Sequence, residues 1–242
     1  MNLAEFFSAA SAATGLLAAH PLRWLGVVLV FLVAVESLMF IPYVGFALKL
    51  AVAGVVGAKV IAMFAAASAG TAPNPTQLLS AFSLPASAQL VLALAALLPF
   101  AAGMLYLYFK AGPAAIEFFF GNMFKVKPPA KELFVHSKYV MQFFALPFTL
   151  LAGAVVLKGL SGFAALSTAL AAALHNWQPI LLLGLLGLAF EWASVQLPSF
   201  MPKWVAGAVA GVLLVLFLGW SFAVMYTVSA KVFGATIVKN AA

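Results

Sequence analysis

Residues 204–230 read WVAGAVAGVLLVLFLGWSFAVMYTVSA, a run without a single charge. About 20 residues of helix suffice to cross the hydrocarbon layer of a bilayer. Inside lipid a backbone amide finds no water, so a single run of this kind satisfies itself only as a helix. Working outward, comparable runs occupy residues 22–41, 43–68, 139–158 and 179–197. Residues 86–123 are too long for one crossing, and Pro99–Gly103 is the expected turn within them. Residues 162–175 are apolar but would reach only about 21 Å as a helix. Counting them as a crossing puts both tails on the same side as the most basic loop, and gives eight crossings in all.

The composition agrees with this reading. The chain of 242 residues is 66% hydrophobic and only 7% charged, against about 25% charged in soluble domains. It cannot cover its surface with polar groups, so its solvent is expected to be largely lipid. The net charge of +7 comes from lysines and a single arginine, scattered near helix ends rather than gathered in a stripe. That pattern reads as topology signals and headgroup contacts, not as a nucleic-acid surface. The absence of cysteine excludes disulfides, thiolate metal sites and iron–sulfur clusters. Loop 124–138 holds Lys125, Lys127, Lys131 and Lys138 and is expected on the cytoplasmic side.

Residues 1–18 place Leu3, Phe6, Phe7, Ala10, Ala13 and Leu17 on one helical face, with Glu5, Ser8 and Ser11 off it. This predicts a short amphipathic helix in the membrane interface, followed by one transmembrane domain over residues 19–242. Three proline sites, Ile41-Pro42-Tyr43, Leu98-Pro99-Phe100 and Leu197-Pro198-Ser199, end apolar runs and suggest hairpin turns. Gly54, Gly57, Gly207 and Gly211 mark close helix packing, while Trp24, Tyr43, Trp177, Trp192 and Trp204 suit interfacial belts.

Ionisable groups inside apolar spans are costly and therefore informative. Glu36 precedes Pro42 and Lys49 follows it at nearly equal spacing, so a tight hairpin would bring them to one depth as an ion pair. Glu191 is expected to pair with Lys203 across Pro198, and Glu117 to face Lys110. Lys59 lies deeper, without an evident partner. His20, His136 and His175 never fall at helical spacing from one another, so no metal site is expected. No phosphate loop, Ser-His-acid set or paired carboxylates points to catalysis.

Several short stretches carry a family likeness. Pro42-Tyr43-Val44-Gly45 stands at a turn, Gly112-Pro113-Ala114-Ala115 precedes Pro128-Pro129-Ala130-Lys131-Glu132-Leu133-Phe134, and Leu174-His175-Asn176-Trp177 precedes an apolar helix. In these the chain resembles the membrane-embedded domain of glycerophosphodiester phosphodiesterases and related bacterial multi-pass proteins. The resemblance implies a helical anchor, with hydrolysis confined to a separate soluble domain. Val228-Ser229-Ala230-Lys231-Val232-Phe233-Gly234 is also similar to the retinal-binding lysine region of microbial rhodopsins. Those proteins use a carboxylate counter-ion, usually Asp, and this chain has none.

The sequence thus predicts an all-α polytopic bundle of six to eight transmembrane helices in hairpins, plus the interfacial N-terminal helix. It predicts a multi-pass protein of a bacterial inner membrane, without cofactor or catalytic residues. The expected role is a non-catalytic subunit or scaffold packing against lipids, other membrane proteins or itself. The alternative is a small transporter or channel using Glu36, Lys49, Lys59, Glu117 and Glu191.

Overall fold

The computed structural model describes residues 1–120, 130–197 and 200–234. The described residues form ten α-helices and no strand. They are α1 (Leu3–Ala19), α2 (Pro21–Glu36), α3 (Gly45–Ser68), α4 (Ala86–Ala111) and α5 (Ala114–Phe120), then α6 (Lys131–Ala145), α7 (Leu151–Lys158), α8 (Gly162–His175), α9 (Trp177–Gln196) and α10 (Lys203–Phe233). Six stretches are long and apolar enough to span a bilayer: Pro21–Phe40, Gly45–Ser68, Ala86–Ala111, Glu132–Lys158, Trp177–Ser194 and Lys203–Phe233. The fold is a helical membrane bundle.

Neighbouring spans run antiparallel, and their contacts define two ends. At one end, called here the hairpin end, α2 turns into α3 through a 3-10 segment, Ser37–Phe40, and the residues Pro42 and Tyr43. Tyr43 takes a left-handed φ of 67° there. A Cβ on Gly45 would strike the carbonyl oxygen of Leu38, so only glycine closes this turn. Phe46, Phe100, Phe119 and Phe134 meet at the same end, joining α3, α4, α5 and α6. At the opposite end Trp24 stacks on Phe64 at 3.7 Å, and Phe64 lies against Tyr226. The Tyr226 hydroxyl there shares a 2.6 Å hydrogen bond with Ser68. Trp24 is therefore a core residue and not part of an interfacial belt, whereas Tyr43, Trp177, Trp192 and Trp204 are exposed.

Lipid tails are as apolar as leucine, so helix association here rests on close packing rather than on escape from water. Gly54 illustrates it: a Cβ there would stand 2.6 Å from the carbonyl oxygen of Leu92 on α4. Gly57 similarly admits the ring of Phe222 from α10.

Three expectations are corrected. The turn expected at Pro99–Gly103 is absent, and α4 runs unbroken through a buried Pro99. The break comes at Gly112, whose φ of 76° is open to glycine, followed by Pro113. Interior proline is tolerated because neighbouring helices re-satisfy the freed backbone groups. Residues 131–138 of the expected basic loop are the first turns of α6, while 124–129 lie outside the described residues. The third correction concerns residues 162–175. The span containing α6 and α7 leaves the hairpin end, and α9 returns to it, with Gly184 against Leu146 and Glu191 beside Lys138. α8 therefore starts and finishes at the opposite end, and does not cross.

The N-terminal helix α1 is closed by a capping box between Asn2 and Glu5. It reaches from the start of α9, where the Met1 nitrogen meets the Asn176 side chain at 2.7 Å, to α2, where Trp24 donates to the Leu16 carbonyl at 3.1 Å. On the way it lays Phe6, Ala9 and Ala13 against the bundle, chiefly on α10. Phe7, placed by periodicity on the same face, stays exposed.

Candidate functional site: two ion pairs and an apolar cleft

Lys49 donates to Glu36 Oε2 at 2.7 Å and to the sulfur of Met39 at 3.2 Å. Its ammonium also lies 5.5 Å from the Phe46 ring centroid. The hairpin brings this pair together because α2 and α3 are joined by only a few turn residues. Lys49 keeps 19% of its side-chain surface and Glu36 keeps 48%.

The second pair differs from expectation. Glu191 lies 3.1 Å from Lys138, not against Lys203. Sequence spacing across Pro198 pointed to the next helix in the chain, but α9 packs beside α6, and Lys203 begins α10. Residues 198 and 199, which hold the third expected proline turn, lie outside the described residues. Gln142, one turn beyond Lys138, donates to the Gly184 carbonyl at 3.4 Å and further ties α6 to α9. Lys138 also lies 5.2 Å from the Phe134 ring centroid.

Glu117 is exposed on α5, bordering a shallow pocket with Tyr43 and Tyr108, and forms no ion pair with Lys110 among the described residues. Lys59 is half-buried on α3 and likewise has no carboxylate partner among the described residues. Lys231 is exposed and donates to the Glu5 carbonyl at 3.0 Å. His136 and His175 are exposed, and no group of metal-binding side chains occurs among the described residues.

Between the spans lies a cleft of about 570 Å³, within the range of small-molecule sites. α10 touches α3 through its C-terminal half, at Phe222 and Tyr226. Near its middle it meets α9, where Phe217 stacks on Phe190 at 4.2 Å. The space left is walled by Phe46 and Gly54 of α3, Phe100 of α4 and Phe222 of α10. Its polar side chains stand on one wall: Lys138, Gln142 and Thr149 on the α6–α7 span, with Glu191 of α9 beside Lys138. Spacing in the sequence could not reveal this site, because Lys138 and Glu191 are 53 residues apart.

The charged groups of the described residues do not converge on one path. Among the described residues, Glu36 and Lys49 close on each other outside the cleft, Lys59 has no carboxylate partner, and only Lys138 and Glu191 border the cavity with charge. No protein family, curated protein or solved structure matches this chain.

Proposed function

We propose that the protein is a non-catalytic membrane subunit or scaffold of a bacterial inner membrane, which docks against another copy or another membrane protein along α10. The observation that carries this reading is the exposed glycine pair in the N-terminal half of α10. Gly207 and Gly211 are spaced as in the Gly-xxx-Gly pattern that lets helix backbones approach. Yet a Cβ at either would meet no described atom within 4 Å. In the same chain Gly54 and Gly57 are filled by neighbouring spans. Glycine in a helix costs about 1 kcal/mol relative to alanine, so two unfilled glycines at docking spacing fit a partner outside the chain.

The resemblance to the phosphodiesterase membrane domain supports an anchoring role, and so do the charges closed in pairs. The alternative reading, a small transporter, draws on the cleft and its one charged wall. Sizing with light scattering in a mild detergent tests the first. The parent is expected as an assembly larger than one chain, and Gly207→Ile with Gly211→Ile is expected to disperse it without lowering its melting temperature. A parent that is already a single chain would overturn docking against another copy. Solute flux in liposomes, lost on substitution of Glu191, would favour the alternative.

A further inference from the structure

We propose that the cleft between α3, α4, the α6–α7 span and α10 holds one phospholipid with a zwitterionic, primary-ammonium headgroup. The inference stands apart from docking along α10, since the two surfaces share no residue. Three observations carry it. First, the cavity is amphipathic in the right sense. Its walls on α3, α4 and α10 are apolar and aromatic, and its polar groups stand together on Lys138, Gln142 and Glu191. Second, those groups are at the proper depth. Lys138 lies within the first two turns of the span beginning at Glu132, and Glu191 within the last two turns of α9. Both therefore sit toward the hairpin end of the bundle, where headgroups begin, while Phe148 and Thr149 carry the cleft on toward mid-span.

Third, the polar end presents both signs of charge. Lys138 and Glu191 are 3.1 Å apart and keep 38% and 35% of their side-chain surface. A pair so open can exchange its mutual contact for two contacts to a ligand. The ammonium of Lys138 matches a phosphate, and the carboxylate of Glu191 matches a cation beside that phosphate. An ionised carboxylate only accepts hydrogen bonds. It therefore favours a headgroup amine with N–H donors over a trimethylated one, which has none. A headgroup without a cation would leave Glu191 facing a phosphate of like sign. The ligand that satisfies both poles is of the phosphatidylethanolamine type.

Native mass spectrometry of the full chain, equilibrated in detergent with equal amounts of phosphatidylethanolamine, phosphatidylcholine and phosphatidylglycerol, tests the assignment. The parent is expected to retain phosphatidylethanolamine about tenfold over either competitor, the size of one charge-assisted hydrogen bond. Glu191→Gln should lower that preference to parity with phosphatidylcholine. Lys138→Gln should reduce retention of all three. Ala145→Phe, which fills the cleft without touching either charge, should abolish retention while leaving the melting temperature within a few degrees. Equal retention of the three lipids by the parent overturns the proposal, whether or not the charge variants fold. So does undiminished retention by Ala145→Phe. Loss of melting temperature in Glu191→Gln, with lipid preference intact, would reduce the pair to a helix tie and equally overturn it.

Discussion

Lys49 is held by a carboxylate, a thioether and an aromatic face at once, all from the same hairpin. Removing Glu36 would strand the ammonium in an apolar setting, and removing Lys49 would strand the carboxylate. A fully buried pair costs about 3–5 kcal/mol when one partner is lost. Glu36 keeps nearly half its surface, so a smaller loss of about 1–3 kcal/mol is expected after allowance for screening. Glu36→Leu and Lys49→Leu should each lower the melting temperature in detergent, and the double variant should recover most of the loss. Single variants as stable as the parent would show the contact to be idle. This pair was legible in the sequence because both partners flank one proline turn. The Lys138–Glu191 pair was not, since nothing in the local pattern says that α9 returns alongside α6.

At the scale of the element, the same residue type serves opposite surfaces. Gly54→Ala forces a methyl within 2.6 Å of the Leu92 carbonyl, and such overpacking costs about 1–3 kcal/mol. Gly207→Ala adds a methyl where no described atom stands near, and it also improves helix propensity. Thermal unfolding of the two variants should move in opposite directions, or leave Gly207→Ala unchanged. Equal losses would mean that Gly207 packs within the chain after all. Periodicity located α2, α3, α9 and α10 closely, because an unbroken apolar run of sufficient length admits few alternatives. It misplaced the end of the fourth helix, because Pro99 and Gly112-Pro113 are both breakers by composition. Only packing decided that the helix survives the first and stops at the second.

At the scale of the bundle, the six spans among the described residues alternate between two ends. The start of α2, both ends of α8 and the end of α10 share one side. The hairpin at Pro42, α5 and the start of α10 share the other. More of the described lysines near the span ends lie on the second side, among them Lys49, Lys110, Lys138 and Lys203. By the positive-inside rule that side is expected to face the cytoplasm. The chain has no cysteine, which allows single reporters. His20→Cys and His175→Cys should react with an impermeant reagent in intact cells. Lys110→Cys and Lys203→Cys should react only after permeabilisation. Ser137 is buried, so it would report nothing about sidedness. Opposite labelling of His20→Cys and His175→Cys would restore a crossing by residues 162–175. The sequence alone did not settle that point, because an apolar helix of 14 residues fits either a short crossing or a capping segment.

The two ion pairs also differ in when they can form. Glu36 and Lys49 are separated by 13 positions, Lys138 and Glu191 by 53. Closing the longer loop costs about 1.2 kcal/mol more in chain entropy, and during synthesis it must wait until α9 has been made. The first pair can close as soon as α3 emerges, so both charges enter the bilayer already neutralised. Lys138 enters without its partner and stays uncompensated through the making of α7 and α8. The early hairpin is thus a self-sufficient unit of insertion, whereas the span containing α6 and α7 depends on a helix that does not yet exist.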